Sequence, residues 1–138
     1  MLKKISPQKL IKKIAQKYNL ELILLFGSRV NGKISKESDF DIAYLSKREL
    51  NMEEEVGLNC DLMRIFQSDM VDLTNVRRAN PLLLKKISDN ALLLFGSPSR
   101  FTEFRLKAFK YSQDYLPYFK LEERGVNQYL KQFSYGFR

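Results

Sequence analysis

Residues 21–45 read ELILLFGSRVNGKISKESDFDIAYL, and this stretch decides the fold. An apolar run ends abruptly at Gly27 and Ser28, and ten polar-rich residues come next. Asp39, Phe40 and Asp41 then open a second apolar run. The pattern predicts two strands, at about residues 21–26 and 40–45, joined by a tight turn and a loop.

The second strand begins with two carboxylates on one face. Because side chains on a strand alternate between its faces, Asp39 and Asp41 should point the same way and Phe40 the other way. Two carboxylates this close repel each other unless a cation lies between them. Mg²⁺ takes oxygen ligands and is the natural candidate.

The composition narrows the chemistry. The 138 residues suffice for one domain with a real core, and the net charge of +8 suits a nucleotide, RNA, DNA or an acidic protein as partner, or solubility alone. The chain has no histidine, which excludes catalytic triads and dyads that need imidazole and disfavours a zinc site. We find no signal peptide and no long apolar segment, and expect a cytoplasmic protein without membrane contact.

Two further expectations concern the rest of the chain. Cys60 lies in an apolar helical pattern, so we expect it in the core rather than as a nucleophile. Helices are predicted at about residues 7–18, 50–66 and 80–90, and further strands at 70–75 and 91–95. The acidic run 53–55 is interpreted as a helix N-terminus and nothing more.

The C-terminal segment is helical and aromatic. Eleven of the seventeen Phe and Tyr residues lie beyond Arg100. Pro117 should kink or interrupt this helix, and Gly125 should weaken its continuation. We expect the segment to pack on the core or on a partner. Direct nucleic-acid binding is disfavoured because base-stacking aromatics usually lie on strands or in grooves, whereas these have helical spacing.

Gly96 and Ser97 repeat the Phe-Gly-Ser ending of the first strand without an Asp-x-Asp downstream. We interpret this copy as a strand end and a helix cap. The Gly-Ser pair is therefore a weak signal by itself, and the first copy matters only because Asp39 and Asp41 lie downstream of it.

Three pieces combine into a candidate catalytic site. Gly27 permits a tight turn and close approach to a ligand, and Ser28 offers a hydroxyl and an N–H to phosphate. Asp39 and Asp41 are candidate metal ligands. Asp72, on the third strand, would complete a second metal site or deprotonate an attacking hydroxyl. Asp72 alone is also compatible with a structural role, and paired Asp residues often form only a polar strand edge.

This pattern resembles the polymerase-β-like nucleotidyltransferase superfamily: a Gly-Ser pair, ten intervening residues, Asp-x-Asp and a third Asp on a later strand. The short chain resembles its minimal members, especially the MntA-type antitoxins of HEPN/MNT toxin–antitoxin pairs. The match covers about residues 22–72, with compatible elements through residue 95. The resemblance implies an α+β fold with a mixed sheet flanked by helices. We therefore expect residues 1–97 to form the nucleotidyltransferase domain. Residues 98–138 match no motif of the family, and we expect them to form a helical, aromatic-rich segment for packing or partner binding rather than a separate domain.

The same resemblance implies the activity. AMP would pass from a nucleoside triphosphate, usually ATP, to a hydroxyl in the presence of Mg²⁺, and pyrophosphate would leave. In MntA-type proteins the hydroxyl is a tyrosine of a HEPN ribonuclease toxin, which forms a hetero-oligomer with its antitoxin and is neutralised. Gly27 and Ser28 would bind the triphosphate, Asp39 and Asp41 the metal, and Asp72 would be the third catalytic carboxylate and metal ligand.

The sequence leaves several alternatives open. One is a small-molecule acceptor such as an aminoglycoside, although that class normally carries an additional substrate domain. Others are a non-enzymatic toxin-binding module and an RNA-directed nucleotide adder. Arg29, Lys33 and Lys36, in the loop between the motif halves, contact phosphates or form a solvated charge run. For Arg77 and Arg78 a surface role is favoured.

Overall fold

The computed structural model describes residues 6–30 and 39–136. Its helices are α1 (Pro7–Lys17), α2 (Met52–Phe66), α3 (Pro81–Asn90) and α4 (Pro98–Gly136). Its strands are β1 (Leu20–Phe26), β2 (Phe40–Ser46), β3 (Val71–Asn75) and β4 (Leu92–Phe95), and short 3₁₀ turns lie after β1 (Gly27–Arg29) and after β3 (Val76–Arg78). The predicted elements are present, with ends displaced by no more than two residues.

Local sequence determines where the helices begin. The Ser6 side chain accepts the N–H of Lys9 at the start of α1, which also has Pro7 at its first position. Asn51 and Glu54 form a reciprocal capping box at the start of α2. These contacts satisfy N–H groups that lack acceptors within the helices.

One mixed sheet has the strand order β3-β2-β1-β4. β1 is antiparallel to β2 and β4, whereas β2 and β3 are parallel. Phe26 is opposite Asp41, and Asp41 is opposite Asp72. The end of β1 and the beginnings of β2 and β3 therefore meet at one end of the sheet.

Helices cover both faces of the sheet. Ile23 and Ile42 lie in a core cluster with residues of α1 and α2. Leu24 and Ala43 lie in a second cluster with residues of α3 and α4, including the fully buried Ile87. Burial on both faces explains why the strands read as almost continuous apolar runs. The α+β architecture expected from the family resemblance is confirmed.

The expectation that Cys60 is buried was wrong, because its thiol side chain is exposed. The fully buried residues of α2 are Leu58 and Leu62, which lie four positions apart on one face of the helix. Cys60 lies two positions from each of them and consequently faces away from the core.

The expected interruption at Pro117 does not occur, because α4 is one helix that also passes Gly125. Proline deprives the carbonyl four residues earlier, at Gln113, of its helical hydrogen bond. Gln113 and Pro117 are both exposed, so water can reach that carbonyl. Among the side chains that the structure describes, Ser112 is the last buried residue of α4.

The C-terminal aromatic residues divide between core and surface. Phe104 is buried, whereas Phe109, Tyr111 and Tyr118 are more than half exposed. The predicted packing on the core thus applies to the first part of α4. Five further aromatics of the prediction lie outside the described side chains: Phe119, Tyr129, Phe133, Tyr135 and Phe137. Across residues 6–30 and 39–136, no helix is long and apolar enough to cross a membrane.

Candidate active site

The turn after β1 lies directly against the first carboxylate of β2. Gly27 has φ +82°, in the left-handed region that favours glycine. A Cβ atom at Gly27 would lie 2.2 Å from Oδ2 of Asp41, closer than real side chains come. The close approach predicted at Gly27 is thus, in this structure, an approach to Asp41.

Ser28 occupies the middle of the 3₁₀ turn and is partly buried. The turn is closed by a hydrogen bond from the N–H of Val30 to the carbonyl oxygen of Gly27. The first N–H groups of such a turn have no acceptor within the turn itself. The Ser28 hydroxyl and these N–H groups belong to the same end of the sheet as Asp41.

Asp41 and Asp72 are paired residues of the two parallel strands, so their side chains share one face of the sheet. Phe40 packs into the opposite core, where its ring stacks on that of Phe66 with centroids 4.6 Å apart. Asp41 is partly buried, and Asp72 is exposed. Asp39 is exposed immediately before β2 and lies near enough to influence Asp41 electrostatically.

The surroundings of Asp41 disfavour its charge. Burial, and to a lesser extent the negative charges of Asp72 and Asp39, raises the pKa of the Asp41 carboxyl above its ordinary value. Lys86 of α3 acts in the opposite direction. A cation beside the three carboxylates would therefore stabilise the ionised form of Asp41.

The donor set fits Mg²⁺ that is shared with a phosphate ligand. Within the part of the chain that the structure describes, no three acidic, histidine or cysteine side chains are arranged to enclose a metal ion by themselves. Mg²⁺ at nucleotide sites usually takes one or two protein carboxylates and completes its shell with phosphates and water. The pair Asp41 and Asp72, with Asp39 nearby, meets that requirement.

Arg29 forms a contact that sequence reasoning did not anticipate. Its guanidinium carbon lies 3.9 Å from the centroid of the Phe40 ring, which in turn stacks on Phe66. This stack connects the Gly-Ser turn to the start of β2 on the core side, independently of the intervening loop. Lys33 and Lys36, which we considered together with Arg29, lie outside the described residues.

Two other residues were missed or underestimated. Lys86 has no motif that signals it, because the packing of α3 on the sheet brings it near Asp41. Glu55 was interpreted only as part of a helix N-terminus, but its Oε1 accepts a 2.6 Å hydrogen bond from the hydroxyl of the buried Tyr44. Tyr44 lies on β2 and Glu55 on α2, so the contact depends on how the helix packs on the sheet, and no local sequence pattern indicates it.

Arg77 and Arg78 lie beyond the end of β3, whereas Asp72 lies near its beginning. Arg77 donates a 2.7 Å hydrogen bond to the carbonyl oxygen of Ser46, and Arg78 pairs with Glu49. Both arginines are exposed, in agreement with the surface role that we favoured.

Comparison with known proteins decides the family. Residues 8–100 match the family described as polymerase beta, nucleotidyltransferase. The chain belongs to this family. The match contains Gly27, Ser28 and the three carboxylates, and it confirms the resemblance and the enzyme class. No significant match was found among curated protein sequences.

Solved structures of toxin–antitoxin complexes resemble this nucleotidyltransferase along nearly its whole length. A chain of a toxin–antitoxin crystal structure with AMP-PNP is 26% identical with a TM-score of 0.71, over 90% of this chain and 98% of that one. A chain of a MntA–HpeT mutant is 25% identical with a TM-score of 0.71, over 92% and 99%. A chain from a complex of a tri-AMPylated Shewanella oneidensis HEPN toxin with MNT antitoxin is 25% identical with a TM-score of 0.66, over 91% and 96%.

Proposed function

We propose that this nucleotidyltransferase transfers AMP from ATP to a hydroxyl of a HEPN-family toxin, with a tyrosine as the acceptor, and so acts as an antitoxin. The observation that carries the proposal is the contact between the Gly27 turn and Asp41, with Asp72 beside Asp41 on the next strand. Support comes from the similar structures, one with AMP-PNP and one with a tri-AMPylated HEPN toxin.

The Gly27–Arg29 turn is the proposed binding site for the triphosphate. Its N–H groups and the Ser28 hydroxyl donate hydrogen bonds, and phosphate oxygens accept them. The position of the turn against Asp41 would hold the phosphates beside the carboxylates. A fixed turn also orients the α-phosphorus before reaction, which lowers the entropic part of the barrier.

Asp39, Asp41 and Asp72 are the proposed ligands of Mg²⁺. When bound, Mg²⁺ supplies Lewis-acid stabilisation of the phosphate oxygens and of the departing pyrophosphate. Asp41, which is partly buried beside two other carboxylates, gains most from a neighbouring cation. Its position between the Gly27 turn and Asp72 would place the metal next to the bound phosphates.

Asp72 is also the proposed base. The chain has no histidine, and an approaching hydroxyl can reach Asp72 because its side chain is exposed. The acceptor oxygen forms a bond to the α-phosphorus, the bond from that phosphorus to the pyrophosphate oxygen breaks, and the hydroxyl proton passes to Asp72.

The test is transfer to the partner toxin. The protein is incubated with Mg²⁺, ATP labelled at the α-phosphate and its proposed HEPN-family partner, and GTP, CTP and UTP are tried in parallel. We expect label on the toxin, and we expect the Asp39→Asn/Asp41→Asn variant to lose the transfer while keeping its fold. Glu53→Gln, an exposed carboxylate change on α2, serves as the control and should retain transfer.

Two results would contradict the proposal. Absence of label on the toxin with all four nucleotides would exclude toxin modification. Full neutralisation of the toxin by the Asp39→Asn/Asp41→Asn variant would show that the chain inhibits by contact alone. A fluorescent ATP analogue measures nucleotide binding separately, so that loss of binding is distinguished from loss of chemistry.

A further inference from the structure

A groove of about 550 Å³ opens at the end of the sheet remote from the carboxylates. It lies between the first half of α4, α3 and the ends of β2 and β3. Leu45, on its floor, is four residues along β2 from Asp41, which corresponds to about 13 Å. The side chains of Asp41, Ala43 and Leu45 point to the same face of the sheet, because successive side chains on a strand alternate between its faces. The groove and the carboxylates therefore lie on the same face, at opposite ends of the sheet. The groove is nevertheless a separate site.

The floor of the groove is apolar. Its apolar lining consists mainly of core residues whose edges reach the surface: Leu45, Val76, Leu84, Phe104 and Ala108. Tyr111 forms part of the wall and is 52% exposed. A volume of this size accommodates a few side chains or one small molecule. The occupant must therefore offer apolar surface.

The rim of the groove is basic. Lys107 and Lys110 are exposed on α4, and Arg77 is held in place by its hydrogen bond to the Ser46 carbonyl. Asp114 is the acidic residue of the lining in the described part of the chain. Arg100 also lines the groove, but it is paired with carboxylates of its own chain. The unbalanced charge favours an occupant that carries carboxylates.

The apolar surface continues past the groove along α4. Tyr118 and Leu121 lie seven and ten positions after Tyr111, which places all three along one side of the helix. Tyr118 is 58% exposed and Leu121 is 62% exposed. A small molecule in the groove would leave these side chains uncovered, whereas a protein segment could cover the groove and the helix together.

We propose that this groove, with the adjoining side of α4, is a docking site for an acidic, partly apolar segment of the protein that receives the nucleotide. The proposal rests on the proposed function, since it assumes a protein acceptor. A docking site about 13 Å from the chemistry contributes binding to substrate and transition state alike. Its loss should raise KM for the protein acceptor and leave kcat and KM for ATP unchanged.

The charge test uses the double variant Lys107→Glu/Lys110→Glu in the full chain. Its matched control is Lys9→Glu/Lys13→Glu, which makes the same charge change at exposed positions of α1, on the other side of the sheet. Affinity for the HEPN partner is measured by calorimetry, at several salt concentrations, with an α,β-methylene analogue of ATP, because its bridge between the α- and β-phosphates cannot be cleaved. We expect the groove variant to bind at least tenfold more weakly and with a smaller salt dependence, and the control to change affinity less than threefold.

The apolar test compares Tyr111→Ala with Phe109→Ala. Both aromatics are exposed on α4, but only Tyr111 lines the groove in the described structure. We expect Tyr111→Ala to weaken partner binding at least fivefold and Phe109→Ala to leave it within twofold. Circular dichroism and thermal unfolding confirm that each variant retains its fold.

Several outcomes would overturn the docking proposal. One is an affinity for the partner within twofold of the wild type in both groove variants. Another is a loss of affinity in the α1 control that equals the loss in the charge variant of the groove. Loss of self-association with unchanged partner affinity would identify a second copy as the occupant. If the wild-type protein binds the partner but does not label it, the proposed function fails while the docking result stands. If labelling occurs and the groove variants keep their affinity, only the docking proposal fails.

Discussion

Replacing Gly27 with alanine tests the contact on which the proposed site depends. Gly27 has φ +82°, and a non-glycine residue in the left-handed region costs about 1–2 kcal/mol. The added Cβ would stand 2.2 Å from Oδ2 of Asp41, more than 1 Å short of the 3.4 Å at which ordinary contact begins. The carboxylate of Asp41 must therefore move by about 1 Å, or the turn must shift by a similar amount.

A displacement of this size should affect catalysis more than folding. Misplacement of a reacting or binding group by about 1 Å costs about 100-fold in rate, which corresponds to about 2.7 kcal/mol in the barrier. We expect Gly27→Ala to lower the free energy of unfolding by about 1–2 kcal/mol from the backbone strain alone. The rate of AMP transfer at saturating ATP should fall about 100-fold in the protein that remains folded.

The assay combines urea unfolding with single-turnover transfer of labelled AMP to the HEPN partner. Gly96→Ala is the matched control, because Gly96 also has a positive φ, +127°, and ends a strand in the same Phe-Gly-Ser sequence. Its added Cβ would collide with the side chain of Leu22 and the backbone oxygen of Glu21, outside the proposed site. Gly96→Ala should therefore lose stability while its folded fraction keeps the wild-type transfer rate.

The reasoning about Gly27 is refuted by either of two results. One is a Gly27→Ala protein that transfers AMP within threefold of the wild-type rate. The other is a loss of transfer in Gly96→Ala that equals the loss in Gly27→Ala after correction for the unfolded fraction, since the Asp41 contact would then be irrelevant.

Three further predictions concern stability. Tyr44→Phe removes the buried hydroxyl that donates a hydrogen bond to Glu55. Urea unfolding should show that the free energy of unfolding falls by about 1.5 kcal/mol, and an unchanged unfolding midpoint would contradict this prediction. Burial tends to raise the pKa of Asp61, but hydrogen bonds, including one from the Tyr18 hydroxyl, outweigh burial and lower that pKa in the folded protein. The stability that Asp61 contributes is therefore present above its pKa in the unfolded chain, and it is lost as the pH falls through its pKa in the folded protein. Tyr18→Phe should consequently be less stable than wild type by about 1–2 kcal/mol at pH 7, with a difference that narrows below about pH 4; a difference constant with pH would disprove this. Gly125→Ala places a Cβ in open space on α4. Amide exchange in this part of α4 should slow about fivefold, which corresponds to about 1 kcal/mol of added helix stability. Unchanged exchange rates would mean that Gly125 does not limit the stability of this helix.

The positions of the elements could be predicted because their signals are local. Ser6 and Asn51 mark helix starts through hydrogen bonds that span three residues. The prediction for Cys60 failed because it depended on which face of a helix meets the core. Cys60 lies two positions from Leu58 and from Leu62 in an apolar helical pattern, but it is on the outer face of α2.

Gly57 shows how tertiary contacts override local propensity. A glycine within a helix is unfavourable by itself, by about 1 kcal/mol relative to alanine. In the fold, a Cβ at Gly57 would lie 2.7 Å from the hydroxyl oxygen of Tyr18, so the absence of a side chain lets α1 and α2 approach. Helical spacing alone does not reveal such a contact, because its partner is almost forty residues away.

The sequence by itself determined the short-range half of the candidate site. Gly27 follows the end of one predicted strand, and Asp39 and Asp41 lie at the start of the next. The two carboxylates are expected on one face because side chains alternate between the two faces of any extended strand. Only the tertiary structure decided that Asp72 is in register with Asp41, that Lys86 lies near Asp41, and that a basic groove forms at the other end of the sheet. These features depend on strand pairing and helix packing between residues far apart in the chain, and no local pattern specifies them.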